Sequence, residues 1–317
     1  DGIPLLDTPG GNLLYAAAGA RLWDEESIGL LARVGEDYPH EWLRNFQKKG
    51  FDIQGIRILP TSLDLRAFIV YTDLFTSQKS NPVAHFARLG LTFPKSLLGY
   101  QSPEDSQDSR NRQNPDSPRL LDIPDDYKQA RAAHLCPLDF ATHMQFAAAF
   151  RHNGTSIVTI DPAPGYMNGN FLFDLRSLLQ GVTAFLPSED EIRSLFWGRT
   201  DNLWEMAATL GSFGCQFIVI KRGGRGQYLY ETETARRWEI PAYPNNPVDL
   251  TGAGDAFSGG FVAGFSATRD PLQAVLHGNI AASLNIEGSG PFYALDSMPG
   301  LAQARLHSLA GIVKEVT

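Results

Sequence analysis

Residues 249–261 read DLTGAGDAFSGGF, and this stretch sets the terms for the rest of the chain. Two glycines flank Ala253, Asp255 follows at once, and an apolar, small-residue run continues to Gly264. Gly252 and Gly254 allow a close turn with its backbone N–H groups facing outward. The segment 256–265 is predicted to be helical, so those donors lie at a helix N-terminus, where the dipole and the unpaired amides favour an anion. Asp255 would stand at the mouth of that positive pocket. A carboxylate beside an anion cradle suits a base that deprotonates a hydroxyl while the cradle holds a transferring phosphoryl group. The same GAGD also reads as a tight connection in which Asp255 only complements the helix dipole, a contribution of about 0.3–1 kcal/mol.

Around this stretch lie 317 residues, long enough for a sizeable core. A hydrophobic share of 43% and a charged share of 20% belong to a globular chain. The net charge of -8 argues against a nucleic-acid-binding surface, because phosphate backbones attract basic faces. Small anions remain admissible, since backbone amides bind them inside acidic proteins. The two cysteines, Cys136 and Cys215, make no disulfide framework and read as buried thiols. No apolar run reaches the ~18 residues of a membrane-spanning helix, and no secretory signal opens the chain. It starts at Asp1 rather than Met, so a trimmed N-terminus is expected, as is a cytoplasmic setting.

Along the chain, a Gly-Gly pair precedes Asn12 and an alanine-rich helical run. Residues 28–34 read as a buried strand, 35–37 as a turn, and 40–49 as an amphipathic helix stopped by Gly50. Residues 56–72 (IRILPTSLDLRAFIVYT) read as two short strands around a turn, part of a small sheet standing off the main body. The stretch 101–119 (QSPEDSQDSRNRQNPDSPR) is polar with almost no apolar residues, so a solvated or disordered loop is expected. An α/β rhythm then resumes, with a helix at 140–152, a strand at 155–161, and a helix at 171–180. A strand at 182–186, helices at 189–196 and 202–213, and a strand at 216–221 follow. A hairpin-like GGRGQYLYE leads into 249–261. Strands alternating with helices imply a parallel sheet covered on both faces.

The string D-x-T-G-A-G-D-A-F-x-x-G-F, four fifths of the way along the chain, resembles the C-terminal signature of the ribokinase-like (PfkB) carbohydrate kinase family. Other segments extend the likeness over most of 10–60 and 155–290. GGN at 10–12 is similar to the family's substrate motif, FIVIKRGGRGQYLY to its nucleotide strand, and HGNIAASLNIEGSG to the helix beside the adenine. The resemblance implies a three-layer α/β/α fold with a mostly parallel central sheet, forming a single domain over 1–317. A small β lid would be built from about 1–12 and 52–75. It further implies Asp255 as catalytic base and the amides of Gly252, Ala253 and Gly254 as anion hole. Gly10, Gly11, Asn12 and Asp249 would meet the substrate, and Lys221, Gly223, Gly226 and Asn279 the nucleotide. ATP and Mg2+ are the implied cofactors, with a monovalent cation compatible, and Glu191 would reach the metal through water. Lys221 stands in a cationic cluster with Arg222 and Arg225 that reads equally as a phosphate screen or a solvated turn. Gly223 and Gly226 each also read as plain turn residues.

Two positions depart from the family pattern. LPSEDEI puts Ser188 where the Asn of an Asn-x-x-Glu element stands, and Ser188 would serve equally as a helix N-cap. Relatives carry an aspartate near the first strand, for which this chain offers only Asp1 and Asp7. P-loop, protein-kinase and zinc-protease signatures are all absent from the sequence. The expected function is therefore an ATP-dependent kinase for a hydroxyl of a small sugar. A nucleoside kinase of the same family and a catalytically weak sugar- or nucleotide-binding homologue are the alternatives. A more apolar, aromatic pocket would favour the nucleoside, with Tyr15, Phe68 and Tyr71 as candidates. No nucleic-acid or membrane partner is expected. A projecting sheet with apolar Leu65, Phe68, Ile69 and Val70 invites homodimerisation through the lid.

Overall fold

A computed structural model describes residues 4–24, 26–72, 76–102 and 107–316. The chain opens with α1 (Asn12–Arg21), β1 (Ile28–Val34), α2 (His40–Lys48) and β2 (Phe51–Ile58). The short β3 (Val70–Tyr71) and β4 (Ser77–Gln78) and then α3 (Pro82–Arg88) follow. The main body runs β5 (Ala132–Leu135), α4 (Phe140–His152), β6 (Ile157–Ile160), α5 (Leu175–Leu179) and β7 (Ala184–Phe185). It continues through α6 (Glu189–Leu195), α7 (Leu203–Gly211), β8 (Phe217–Lys221), β9 (Gln227–Glu231) and β10 (Arg237–Ile240). It ends with α8 (Ala253–Thr268), α9 (Pro271–Asn285), α10 (Leu301–Ala310) and β11 (Lys314–Val316).

Among the described residues, the main sheet has seven strands in the order β11-β10-β9-β8-β7-β6-β5. Strands β5 to β8 pair in parallel, and β9, β10 and β11 extend the sheet antiparallel. All four residues of β6 are buried, as expected of a strand covered on both faces. Side-chain alternation sorts neighbours to opposite layers. Val158, Ile160, Ile218 and Ile220 face Phe146, Leu175, Leu178 and Leu210 on one side. Ile157 and Val219 face Phe257, Phe261 and Ile280 on the other. The result is the α/β/α sandwich anticipated from the rhythm of the sequence. No helix among the described residues is long and apolar enough to cross a membrane.

The small sheet differs from expectation. Strand β1 belongs to it rather than to the main body, pairing in parallel with β2, and only Leu30 and Val34 of β1 are buried. Residues 4–11 contribute no strand to it, and residues 1–3 and 73–75 lie outside the described residues. The stretch 56–72 carries strand only at its two ends, which do not pair with each other and are joined by a long irregular connection rather than a turn. Strand β2 ends at Ile58, Pro60 brings no N–H to a ladder, and Arg66 instead bonds Asp64 and the carbonyls of Ser96 and Leu98. Tyr71 and Val70 then pair with β4. A third core of Leu14, Ala17, Leu30, Phe46, Phe51 and Phe292 joins the small sheet to α1 and α2. On the segment side, Arg33 forms a 2.6 Å ion pair with the largely buried Asp122, and Tyr127 Oη donates to Asp52 O at 3.0 Å.

The described part of 101–119 is mostly exposed, as expected, yet it is anchored to the body rather than disordered. Composition hides this because the anchor lies elsewhere in the sequence. Asp139, buried at the N-terminus of α4, accepts from Asn114 N, Ser117 Oγ, Thr142 N and Thr142 Oγ1. Asp108 accepts from Phe140 N, and its own N–H donates to Gly165 O.

Helices α1 and α8 meet along a seam of small residues. A Cβ on Gly19 would collide with Ala256 O, and one on Gly259 would collide with Ala16 O. The alanine-rich run thus brings its backbone against α8, and Gly11 and Asn12 at the start of α1 line one cleft with Thr251, just before α8, and with Gly259 and Val262 within it.

Candidate active site

The C-terminal ends of the parallel strands converge on the start of α8, the usual ligand edge of an open α/β sheet. Gly252 takes the left-handed conformation at φ 74°, and no side chain caps the helix it starts. That terminus turns backbone amides toward an anion, although Ala253 N already donates to Leu250 O at 3.2 Å. The ring of Tyr15 lies where a Cβ on Gly252 would sit, so glycine is required there for space as well as for conformation. Gly11, at φ 92°, starts α1 in the same manner without a side-chain cap.

Asp255, in the first turn of α8, is half-buried. Burial raises its carboxyl, to about 7, with Asp161 and Glu191 adding to the rise and Lys221 opposing it. Lys221 ends β8, and its Nζ lies 2.5 Å from Oδ2 of the buried Asp161, which follows β6. Ser258 Oγ lies 2.9 Å from the same Oδ2 and 3.0 Å from Gly254 O. Burial pulls the ammonium down, yet Asp161 and Glu191 more than offset it and hold it charged. Three carboxylates from β6, α6 and α8 therefore surround one lysine.

Glu191 reaches this cluster from a capping box. Its Oε2 accepts from Ser188 N at 2.7 Å and Ser188 Oγ at 2.8 Å, while Ser188 Oγ accepts from Glu191 N at 3.3 Å. Of the two roles open for Ser188, the helix cap is the one built here. Among the described residues no group of three or more His, Cys, Asp and Glu side chains is arranged to hold a metal. Magnesium arriving on nucleotide phosphates needs only one or two protein carboxylates and keeps several waters. A lone Glu191 fits that requirement.

The cationic cluster divides. Lys221 faces the carboxylates, whereas Arg222 and Arg225 both pair with the buried Glu189, and Arg222 also stacks over Tyr228 at 4.0 Å. Gly223 and Gly226 form the turn between β8 and β9 at positive φ, and a Cβ on Gly226 would strike Ile240 O. Asn279 stays behind the site. It is buried, donates to Gln227 Oε1 and Pro241 O, and accepts from Tyr243 N, so its amide holds the 241–243 backbone.

A cleft of about 2130 Å³ lies between the small sheet and α1, α8 and β5. Gly10, Gly11, Asn12 and Asp249 line it together with Tyr15, Tyr38, Trp42, Phe68 and Tyr71. Asp249 accepts from Thr251 N at 2.9 Å, and Thr251 Oγ1 bonds Tyr71 Oη at 3.4 Å. Asp7 lines the same cleft, whereas Asp1 lies outside the described residues. Asp161, Ser258 and Cys136 complete the site without having been singled out in the sequence. The available signal for Asp161 was an apolar strand, TSIVTID, ending in a carboxylate at the ligand edge. Cys136 lies close enough for Asp255 and Asp161 to raise its thiol further, although burial is the main cause.

Residues 111–298 match the model of the pfkB family carbohydrate kinases. The chain is 28% identical over 267 residues to a cytidine kinase of Thermococcus kodakarensis, covering 84% of this chain and 82% of that one. A ribokinase of Staphylococcus aureus is 30% identical over 149 residues, 46% of each chain. Among solved structures, a putative ribokinase II from E. coli in complex with ATP and Mg2+ superposes with a TM-score of 0.70 at 19% identity, covering 97% of this chain and 92% of that one. A fructokinase with bound ATP from Xylella fastidiosa gives the same TM-score at 18% identity, with 97% and 94% covered.

Proposed function

Since the chain belongs to the pfkB family of carbohydrate kinases, we propose that it transfers the γ-phosphoryl group of ATP to a sugar hydroxyl, with Asp255 as the base. The observation that carries this reading is a carboxylate of raised proton affinity in the first turn of an uncapped helix at the ligand edge of the sheet. The acceptor hydroxyl would lose its proton to Asp255 as its oxygen attacks phosphorus. The amides of Gly252, Ala253 and Gly254 and the Lys221 ammonium would receive the charge on the phosphoryl oxygens. Glu191 would reach a nucleotide-bound magnesium through water, and that ion would supply further charge neutralisation. The turn at Gly223 and Gly226 would lie along the nucleotide, and the β1–β2 sheet would cover the acceptor and keep water out.

The cleft favours a nucleoside as the acceptor. Tyr15, Phe68 and Tyr71 line it with Tyr38 and Trp42. Aromatic faces of this kind suit a planar base. Asn12 and Asp249 remain available for hydroxyls, which supports a free sugar as the second reading. Acceptor-stimulated ADP release tests both. Cytidine and other ribonucleosides are expected to give kcat/KM at least ~10-fold above ribose or fructose, since an unfilled apolar subsite costs about 1–3 kcal/mol. Faster turnover of a free sugar would overturn the nucleoside reading, and tight binding without any product would overturn the kinase itself.

A base must be ionised to act, so activity is present above the Asp255 pKa and lost below it. With that group raised to about 7, kcat/KM for the acceptor should fall tenfold per pH unit on the acid side of neutrality. A profile flat down to pH 5 would remove Asp255 as the titrating base.

A further inference from the structure

We infer that Asp161 is a positioning residue for phosphoryl transfer, fixing the Lys221 ammonium against the 252–254 turn and tying both to the first turn of α8 through Ser258. The inference rests on the reading of Asp255 as base and of that turn as the phosphoryl-facing element. Asp161 and Lys221 lie 60 residues apart in sequence and reach each other only because β7 separates their strands in the sheet. Lysine is a flexible point charge that gives up much of its rotamer freedom when held in one place. Here the holding group is a buried carboxylate at 2.5 Å, so the ammonium is already localised before any phosphate arrives.

Two contacts aim this pair at the turn rather than elsewhere. Lys221 Nζ stands 3.4 Å from the position a Cβ on Gly254 would take, which places the charge against the backbone of the turn itself. Ser258 Oγ lies within hydrogen-bond distance of both Asp161 Oδ2 and Gly254 O, so the carboxylate and the turn share one hydroxyl. An ammonium carries three donors, and Asp161 uses one of them. Glu191 from α6 and Asp255 from α8 also face the ammonium, with His134 and Cys136 from the end of β5 nearby. In such surroundings an unheld lysine would have competing anionic partners, and Asp161 decides which one it takes.

A double-mutant cycle tests the assignment. Asp161→Asn should lower kcat by roughly 10²-fold, the scale of a misplaced catalytic group, with the KM for ATP nearly unchanged. Lys221→Met should cost at least as much. If Asp161 acts through Lys221, the double variant should be no slower than Lys221→Met alone; multiplying losses would overturn the inference. Should Asp161→Asn fail to fold, the double variant, which leaves neither member of the pair without the other, is compared with Lys221→Met directly. Equal turnover supports the positioning role, and a double variant tenfold slower overturns it. Asp255→Asn, measured alongside, separates the two readings. If that variant keeps its turnover, the base assignment fails. If it is inactive while the Asp161 and Lys221 losses multiply, only the positioning role fails.

Discussion

Asp255→Asn is expected to leave ATP binding close to wild type while lowering kcat by about 10²–10⁴-fold, the usual contribution of a positioned base. The substitution keeps the volume of the side chain in its half-buried site and removes only its capacity to take a proton. The turn, its glycines and the α8 terminus do not depend on that charge, so nucleotide affinity should survive. Loss of the negative charge even lowers repulsion toward phosphate, and ATP should bind slightly more tightly if it moves at all. Equilibrium ATP binding together with steady-state kinetics checks both halves. Turnover within a few-fold of wild type would leave Asp255 as no more than a dipole partner in the first turn.

The second large effect concerns the seam between α1 and α8. Gly259→Val is expected to destabilise the fold by ~3 kcal/mol or more, at or beyond the upper end of ordinary overpacking. Even its Cβ would overlap Ala16 O, with Ala16 C at 2.7 Å and Ala20 N at 2.9 Å, all of them backbone. No rotamer change can clear such a contact, so the helices must part. Parting them moves the Gly11 and Gly252 turns relative to each other, and both the acceptor and the phosphoryl side of the cleft lose their register. The melting temperature should fall by at least ~5 °C, and the fraction that still folds should show a raised acceptor KM. An unchanged melting temperature would mean that the seam is looser than described.

Much of this was legible in residues 249–261 and in the α/β rhythm, because a turn followed by a helix and a period-two apolar strand are local patterns. The pairing of β1 with β2 was not, since a half-buried strand with scattered apolar residues fits either sheet. Docking of the polar stretch around 107–119 was hidden because its anchor, Asp139, comes later in the chain and carries no apolar signature. Ser188 read equally as a helix N-cap, and the structure builds that cap, closed into a capping box by Glu191. Asn279 looked like a nucleotide contact from its segment, yet buried amides need partners, and it found three in the protein. Asp161 escaped notice because its significance depends on a lysine two strands away.

That pair also bears on how the chain can change over generations. Losing Lys221 alone strands Asp161 in a buried position at a cost of ~3–5 kcal/mol, a large part of the stability a typical domain has to spare, whereas losing Asp161 alone releases the ammonium to Glu191 and Asp255. Replacing both with well-packed neutral residues can be nearly free. Any lineage that gives up Asp161 or Lys221 must therefore cross a valley in stability between two stable folds, the second of which lacks the ammonium proposed for phosphoryl transfer. Descendants should carry both residues or neither, and an intermediate with one should persist only where a stabilising substitution came first.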